Sequence, residues 1–188
     1  MPAETLELAR STGGRFIFGN ADALGERDWV REQLTEEQLA FIADWPELER
    51  IDLEGLGPVL FRHGSPRSVD EIVTKLTPDE VLRETLVGVD ERTVVIGHTH
   101  VQFDRTVDGK RVVNAGSVGM PYEGRTGAFW ALLGPDVELR RTDYDVTAAT
   151  ERLRGTGYPD PHEWIPLVAD PVSPDEASEF FEKQAGRG

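Results

Sequence analysis

Residues 94–103 read VVIGHTHVQF, and two of the chain's four histidines, His98 and His100, stand two positions apart there, straight after an apolar run and a glycine. Imidazoles at i and i+2 can aim at two neighbouring points, and imidazole suits Mn, Fe, Co, Ni or Zn better than Mg or Ca. Two other apolar runs end in the same way: RFIF runs into Gly19-Asn20 and VLFR into His63-Gly64. In open α/β sheets ligands bind beyond the carboxyl ends of the strands, and glycine lets the backbone turn sharply and approach a ligand. Three strands that each deliver a nitrogen or oxygen donor beside a glycine predict a shared metal site at that edge. Taken singly, Asn20 reads as a turn residue and His63 as a satisfied core histidine. Their common placement is what favours the metal.

The elements that must position these residues follow from pattern. Ala3 to Arg10 predicts a helix with Leu6 and Leu8 inward, ended by Gly13-Gly14. RFIF predicts a short strand. Thr35 with Gln38 forms a capping box ahead of LAFIADW. LERIDLEG and GPVLFRHG predict two strands around a Gly/Pro turn. Ser68 with Glu71 predicts a capped helix over VDEIVTKL, and Thr77, Pro78 and Glu80 a second over EVLRETL. TVVIG is apolar throughout, the texture of a strand buried on both faces. VQFDRTV-DG-KRVVN reads as a hairpin on an Asp-Gly turn. GAFWALLG and VELRRTDYD add two strands, and DVTAATERLRG a helix closed by Gly155. The tail is punctuated by proline, with a last acidic helix starting at Ser173. Strand and helix alternate in the first half and antiparallel strands dominate the second, so the chain reads as one α/β domain over 1–188 with an acidic helical tail from about 160.

Composition bounds the function. The formal charge is −15 over 188 residues. No basic stripe is available to displace counterions from duplex DNA or RNA. A small phosphorylated substrate remains compatible if a metal supplies the positive charge locally. There is no cysteine, which removes disulfides, thiolate zinc sites and a thiol nucleophile and fits a cytoplasmic protein. No apolar stretch approaches the ~20 residues of a membrane span, and the acidic, amphipathic start is unlike a signal peptide. A homo-oligomer is compatible with these features.

GHTH followed some fifteen residues later by NAGSVGMP, with Gly19-Asn20-Ala21-Asp22 and His63-Gly64 upstream in that order, resembles the calcineurin-like metallophosphoesterases, above all their small bacterial and archaeal phosphodiesterase branch. The resemblance covers roughly residues 3–160. It implies two facing mixed β-sheets flanked by helices, with Asn20, His63 and His98 on one metal ion and His100 on a second. It also implies phosphate-ester hydrolysis by a metal-activated hydroxide, with manganese foremost and Fe, Ni, Co or Zn as alternatives.

The family's N-terminal Asp-x-His and Gly-Asp-x-x-Asp strands are not found ahead of Asn20. Asp160-Pro161-His162 spells the first motif but follows no strand and reads as coincidence. All four candidate ligands are neutral, so one cation on Asn20, His63 and His98 is expected here, and a tight pair is disfavoured by its own repulsion. Two accounts compete: a longer gene product carries both motifs ahead of Met1, or the chain is a non-catalytic scaffold of the same fold. A cupin-like barrel also uses His-x-His and could offer Asp104. It lacks a third histidine at the right place, and the strand–helix alternation argues against it. Many family members carry histidine at the position of Ala21 to assist the leaving oxygen. Its absence shifts the expected substrate towards low-pKa leaving groups. Asp22 reads as a turn cap at least as well as a site residue. Ser117 reads as a strand turn rather than a nucleophile. Arg125 in PYEGRTG is a weak candidate for a substrate phosphate. Trp29, Trp45, Trp130 and Trp164 read as packing residues.

Overall fold

The computed structural model describes residues 1–25 and 28–187. The elements run α1 (Pro2–Ser11), a 3₁₀ turn (Asn20–Asp22), α2 (Trp29–Glu32), α3 (Glu36–Ala43), β1 (Leu48–Leu53), β2 (Gly57–Arg62) and α4 (Asp79–Thr85). There follow β3 (Thr93–Ile96), β4 (Phe103–Val107), β5 (Lys110–Asn114), β6 (Ala128–Leu133), β7 (Val137–Thr142), α5 (Val146–Arg154), α6 (Pro161–Ala169) and α7 (Pro174–Gln184). A five-stranded sheet has the order β1-β2-β3-β5-β4. It is mixed: β2–β3 and β3–β5 are parallel, β1–β2 and β4–β5 antiparallel. β6 and β7 form a separate antiparallel pair, so among the described residues the second sheet is two-stranded rather than mixed.

The two faces of the large sheet follow strand alternation. Leu60, Val94, Ile96, Val112, Phe103 and Val107 point to one face, where Leu82 of α4, Leu86 just after it and Val73 cover them. Val59, Val95 and Val113 point to the other, against Leu53, Leu56, Leu133 and Val137, which brings the β6–β7 turn onto the sheet. All four residues of β3 are buried, as an interior parallel strand requires. The β4–β5 hairpin turns on Asp108 and Gly109, at φ 48° and 78°, the left-handed pair that Asp-Gly favours. Thr35 and Gln38 cap α3 reciprocally, and Ser173 and Glu176 do the same for α7.

Four expectations are corrected. Residues 15–18 (RFIF) form no strand: Phe18 N bonds Pro46 O (2.8 Å), and Phe16 stacks on Trp45 and meets Phe41 edge-on. Among the described residues no strand pairs with them. VDEIVTKL is not helical. The carbonyls a helix would use are taken by distant side chains: Ile72 O by Arg187 (2.9 Å), Val73 O by Thr99 Oγ1 (3.2 Å), and Thr74 O, Lys75 O and Thr77 O by Arg105 Nη1 (3.3, 3.1 and 2.7 Å). Helix α4 forms where expected, but Thr77 does not cap it. Its hydroxyl accepts from Thr74 N (2.9 Å) and donates to Glu182 of α7 (2.6 Å). Leu6 is buried and Leu8 is 69% exposed, because at 100° per residue two positions apart cannot share a helix face. The proline-rich tail also holds a helix, α6, that the pattern did not announce; Asp160 and His162 sit at its start, far in sequence from any strand.

Candidate metal centre

β2 and β3 are parallel neighbours in the register Phe61↔Val95. Their carboxyl ends therefore lie side by side, and Gly97 N donates to His63 O at 2.7 Å. The segment ending in Gly19-Asn20 comes to the same edge. Asn20 Oδ1 lies 2.8 Å from His63 Nε2 and 3.2 Å from His98 Nδ1, and the two imidazoles stand with centroids 5.2 Å apart. Three residues separated by as much as 78 positions are thus brought within hydrogen-bonding distance of one another.

The glycines explain how they get so close. A Cβ on Gly19 would fall 2.9 Å from His63 Nδ1, and one on Gly64 would fall 2.6 Å from both Ser68 O and Val69 O. Gly19 also donates its N–H to Asp22 Oδ2 (2.8 Å), so Asp22 closes the turn that carries Asn20. Burial raises the Asp22 carboxyl above its ordinary range, against the pull of that bond.

The GHTH turn is held from below. His98 and His100 both take positive φ, 66° and 56°, a conformation uncommon outside glycine and concentrated at functional sites. Thr99 between them is fully buried. Asn114, also fully buried, donates to Gly97 O (2.6 Å) and Thr99 Oγ1 (3.1 Å) and accepts from Gly116 N (2.9 Å). His100 turns its ring the other way: Nδ1 meets Met120 O at 2.8 Å and the ring stacks on Tyr122 at 5.3 Å. Bonding Nδ1 to a carbonyl fixes the tautomer that leaves Nε2 as the free donor atom, the usual orientation of a metal-binding histidine. His100 makes no contact with Asn20 and stands apart from the three-residue cluster. Asn114, Met120 and Tyr122 carried no ligand signal of their own. The NAGSVGMP motif was the one hint that this strand turn lines the site.

Electrostatics keep the rings neutral. Burial lowers His63 to about 4, with His98 and His100 adding to the effect and Asp70 opposing it. Burial also lowers His98, against the Asp70 carboxylate and backbone, and His100, against its bond to Met120. Neutral imidazole is the ligating form. The separations of 2.8 and 3.2 Å are those of ordinary hydrogen bonds between the Asn20 amide oxygen and the two ring nitrogens. Two neutral imidazoles and an amide oxygen are donor types that a divalent transition cation takes. Among the described residues no group of three or more His, Asp or Glu side chains gathers, and the third donor here is an amide. Asp70 is the carboxylate that acts on His63 and His98, and among the described residues no carboxylate hydrogen-bonds Asn20 together with the rings, so the residues present do not fit a tight metal pair.

The remaining candidates sit elsewhere. Arg125 is exposed with its guanidinium over the Phe129 ring at 5.4 Å, and it contacts none of Asn20, His63 or His98. Ser117 Oγ accepts from Met120 N (3.0 Å), a turn role. Asp104 pairs with Arg111 at 2.6 Å.

The calcineurin-like phosphoesterase superfamily domain model matches residues 2–133. The chain belongs to the calcineurin-like phosphoesterase superfamily. Two solved structures share the phosphoesterase fold over most of both chains. A metallophosphoesterase from Sphaerobacter thermophilus aligns at TM-score 0.72 and 23% identity, over 89% of this chain and 82% of that one. A hypothetical protein from Pyrococcus horikoshii OT3 aligns at TM-score 0.74 and 18% identity, over 90% and 78%. No curated protein sequence matches. Within the superfamily domain, Asn20, His63, His98 and His100 all fall inside the matched span, whereas α5, α6 and α7 lie beyond it. Among the described residues no helix is long and apolar enough to cross a membrane.

Proposed function

We propose that the chain is a metal-dependent phosphoesterase, specifically a phosphodiesterase acting on a small phosphorylated substrate. It holds one divalent transition cation, manganese foremost, on Asn20, His63 and His98. The observation that carries this reading is the meeting of Asn20 Oδ1 with His63 Nε2 and His98 Nδ1 at the carboxyl ends of two parallel strands. A cation there supplies positive charge to the phosphoryl oxygens and acidifies a nearby water. The chain's own residues set the stage for it. Asn114 and Thr99 hold the GHTH turn rigid, Asp22 holds Asn20, and the buried rings stay unprotonated at neutral pH.

The proposal includes further strands that bring carboxylates to this edge and complete a sandwich of two sheets, with His100 serving the second ion they would admit. Two features support it. Phe16, Ile17 and Phe18 are apolar and belong to no strand among the described residues. β6 (AFWALL) pairs with β7 on one side; beyond that ladder its backbone bonds among the described residues are Phe129 N to Ser117 O (3.0 Å) and Gln102 Nε2 to Trp130 O (2.9 Å). β6 carries no charge or proline, whereas the sheet-edge strands β1, β4 and β7 all carry charges, the usual guard of a free edge. Reading the gene in frame ahead of the Met1 codon tests this; a nearby stop with no Asp-x-His overturns it.

Metal analysis and hydrolysis of bis(4-nitrophenyl) phosphate test the function. Bound Mn²⁺, lost in His63→Ala and His98→Ala, with hydrolysis abolished by chelation, is the expected result. The neutral donor set favours one second reading, a scaffold of the same fold that binds a cation and turns nothing over. Stoichiometric Mn²⁺ without hydrolysis, in the chain joined to any upstream strands, would establish it.

A further inference from the structure

Taking His98 and His100 as cation ligands from the reading above, we infer that helix α7 is a positioning element of the metal centre. Phe181 and Glu182, adjacent on that helix, each reach the GHTH turn by a separate route.

The first route runs through residues 72–77. Glu182 is 6% exposed, and Thr74 and Thr77 are buried. The Glu182 carboxylate accepts from Thr74 Oγ1 (2.7 Å), Thr77 Oγ1 (2.6 Å), Arg187 Nε (2.6 Å) and Arg187 Nη2 (3.0 Å). Arg187 Nη2 also donates to Ile72 O (2.9 Å). Val73, between Ile72 and Thr74, gives its carbonyl to Thr99 Oγ1 (3.2 Å), and Thr99 stands between the two histidines. Three consecutive residues thus couple the end of α7 to the turn.

The second route is aromatic. The Phe181 ring lies 6.1 Å from the Tyr122 ring, and Tyr122 stacks on His100 at 5.3 Å. The backbone follows the same path. Tyr122 N donates to His100 O (3.1 Å), and Gly124 N donates to Val172 O (2.9 Å), just ahead of α7. The loop that carries Tyr122 is therefore tied to the turn at one end and to the entry of α7 at the other.

The chemistry of the first route favours positioning over mere attachment. Burial raises the Glu182 carboxyl, but Arg187, Thr77 and Thr74 outweigh it and hold the group below its ordinary range, so it is ionised at neutral pH. A buried ion pair adds little net stability over apolar packing of the same volume. Four donors on one carboxylate do, however, fix where residues 72–77 lie, because hydrogen bonds tolerate little change in distance or angle. The turn needs such support. His98 and His100 both hold positive φ, a conformation that persists only where its surroundings impose it.

The test uses the full chain and two variants, Glu182→Gln and Phe181→Leu. The carboxamide keeps the size of Glu182 and leaves Arg187 without its counter-charge. The imidazole nitrogen resonances of the metal-free protein are read by NMR, and Mn²⁺ affinity is measured separately. Glu182→Gln should shift both His98 and His100. Phe181→Leu should turn His100 from the single Nδ1-protonated form that Met120 O selects into a mixture of tautomers. The backbone amides of Leu6 in α1 and Ile42 in α3 should stay in place. Mn²⁺ affinity should fall about threefold to tenfold, at or below the ~10–100-fold that direct partners of a metal ligand give. Unmoved His98 and His100 resonances overturn the inference. So do shifts that extend equally to Leu6 and Ile42, the mark of a loosened fold, and so do moved resonances with unchanged Mn²⁺ affinity. If Glu182→Gln does not fold, Phe181→Leu decides by the same readings. A parent chain that takes up no Mn²⁺ refutes the cation reading instead, and the metal-free spectra still decide whether α7 sets the turn.

Discussion

The β3–β5 corner and the segment 15–22 bring donors to the same point by different means. At the corner, His98 follows a fully buried strand, and Asn114 ties Gly97, Thr99 and Gly116 together from within the core. In the segment, Asn20 is exposed and rides on a single turn closed by Asp22, after a stretch anchored by Phe18 N to Pro46 O and by aromatic contacts. One half of the site is built into the sheet and the other is hung beside it. Preorganisation is therefore uneven: the imidazoles wait in place, and the amide must be kept there.

The largest expected effect breaks the cluster itself. His98→Ala should abolish Mn²⁺ binding, read by metal analysis after gel filtration; unchanged stoichiometry refutes the assignment. Next, Asn114→Ala attacks the anchored half. Three bonds to a buried amide are lost, so urea denaturation should show a cost of about 2–4 kcal/mol. A cost under about 1 kcal/mol would mean the corner is not what holds His98. Gly19→Ala probes the approach between the halves. Its methyl would displace the His63 ring, and Mn²⁺ affinity should fall about tenfold with little change in stability, the size of effect seen when a ligand's support is disturbed. Asp22→Ala loosens the hung half alone and should cost about 1 kcal/mol, the usual worth of such a cap. If it proves as costly as Asn114→Ala, the contrast collapses.

The smallest effect is on pH. The folded chain holds His63 down at about 4 from an unfolded value of 6.5, with His98 and His100 lowered too. As pH falls below 6.5 the unfolded chain takes up protons that the folded chain refuses, so stability declines until about pH 4 and then levels off for His63. Partial exposure of the rings screens the effect. Urea midpoints of the metal-free protein at pH 7 and pH 5 should therefore fall modestly in that order. A higher midpoint at pH 5 contradicts the assigned burial.

The two halves also differ in how far the sequence disclosed them. TVVIG with GHTH, the Asp-Gly hairpin and the Thr35–Gln38 box are local signals, and local chemistry decides them, so they stand as expected. RFIF has strand composition, yet a strand exists only with a neighbour to bond, and composition cannot supply one. VDEIVTKL has a cap and helical spacing, yet Arg105, Arg187 and Thr99 capture its carbonyls from 26 or more positions away. At the site, the residues that meet were legible because few residue types offer metal-type donors and each stood beside a glycine. The supports, Asn114, Met120 O and Tyr122, were not, because a backbone carbonyl and a stacking ring have no signature in one dimension.

The uncharged side of β6 has a practical consequence. With most of its amide groups along that side unclaimed and no lysine, glutamate or proline to repel a neighbour, it is an adhesive seam. Two molecules meeting seam to seam could knit their ribbons into one continuous antiparallel sheet, so the isolated polypeptide should lose monodispersity as it is concentrated. A lysine written into the middle of AFWALL should restore it.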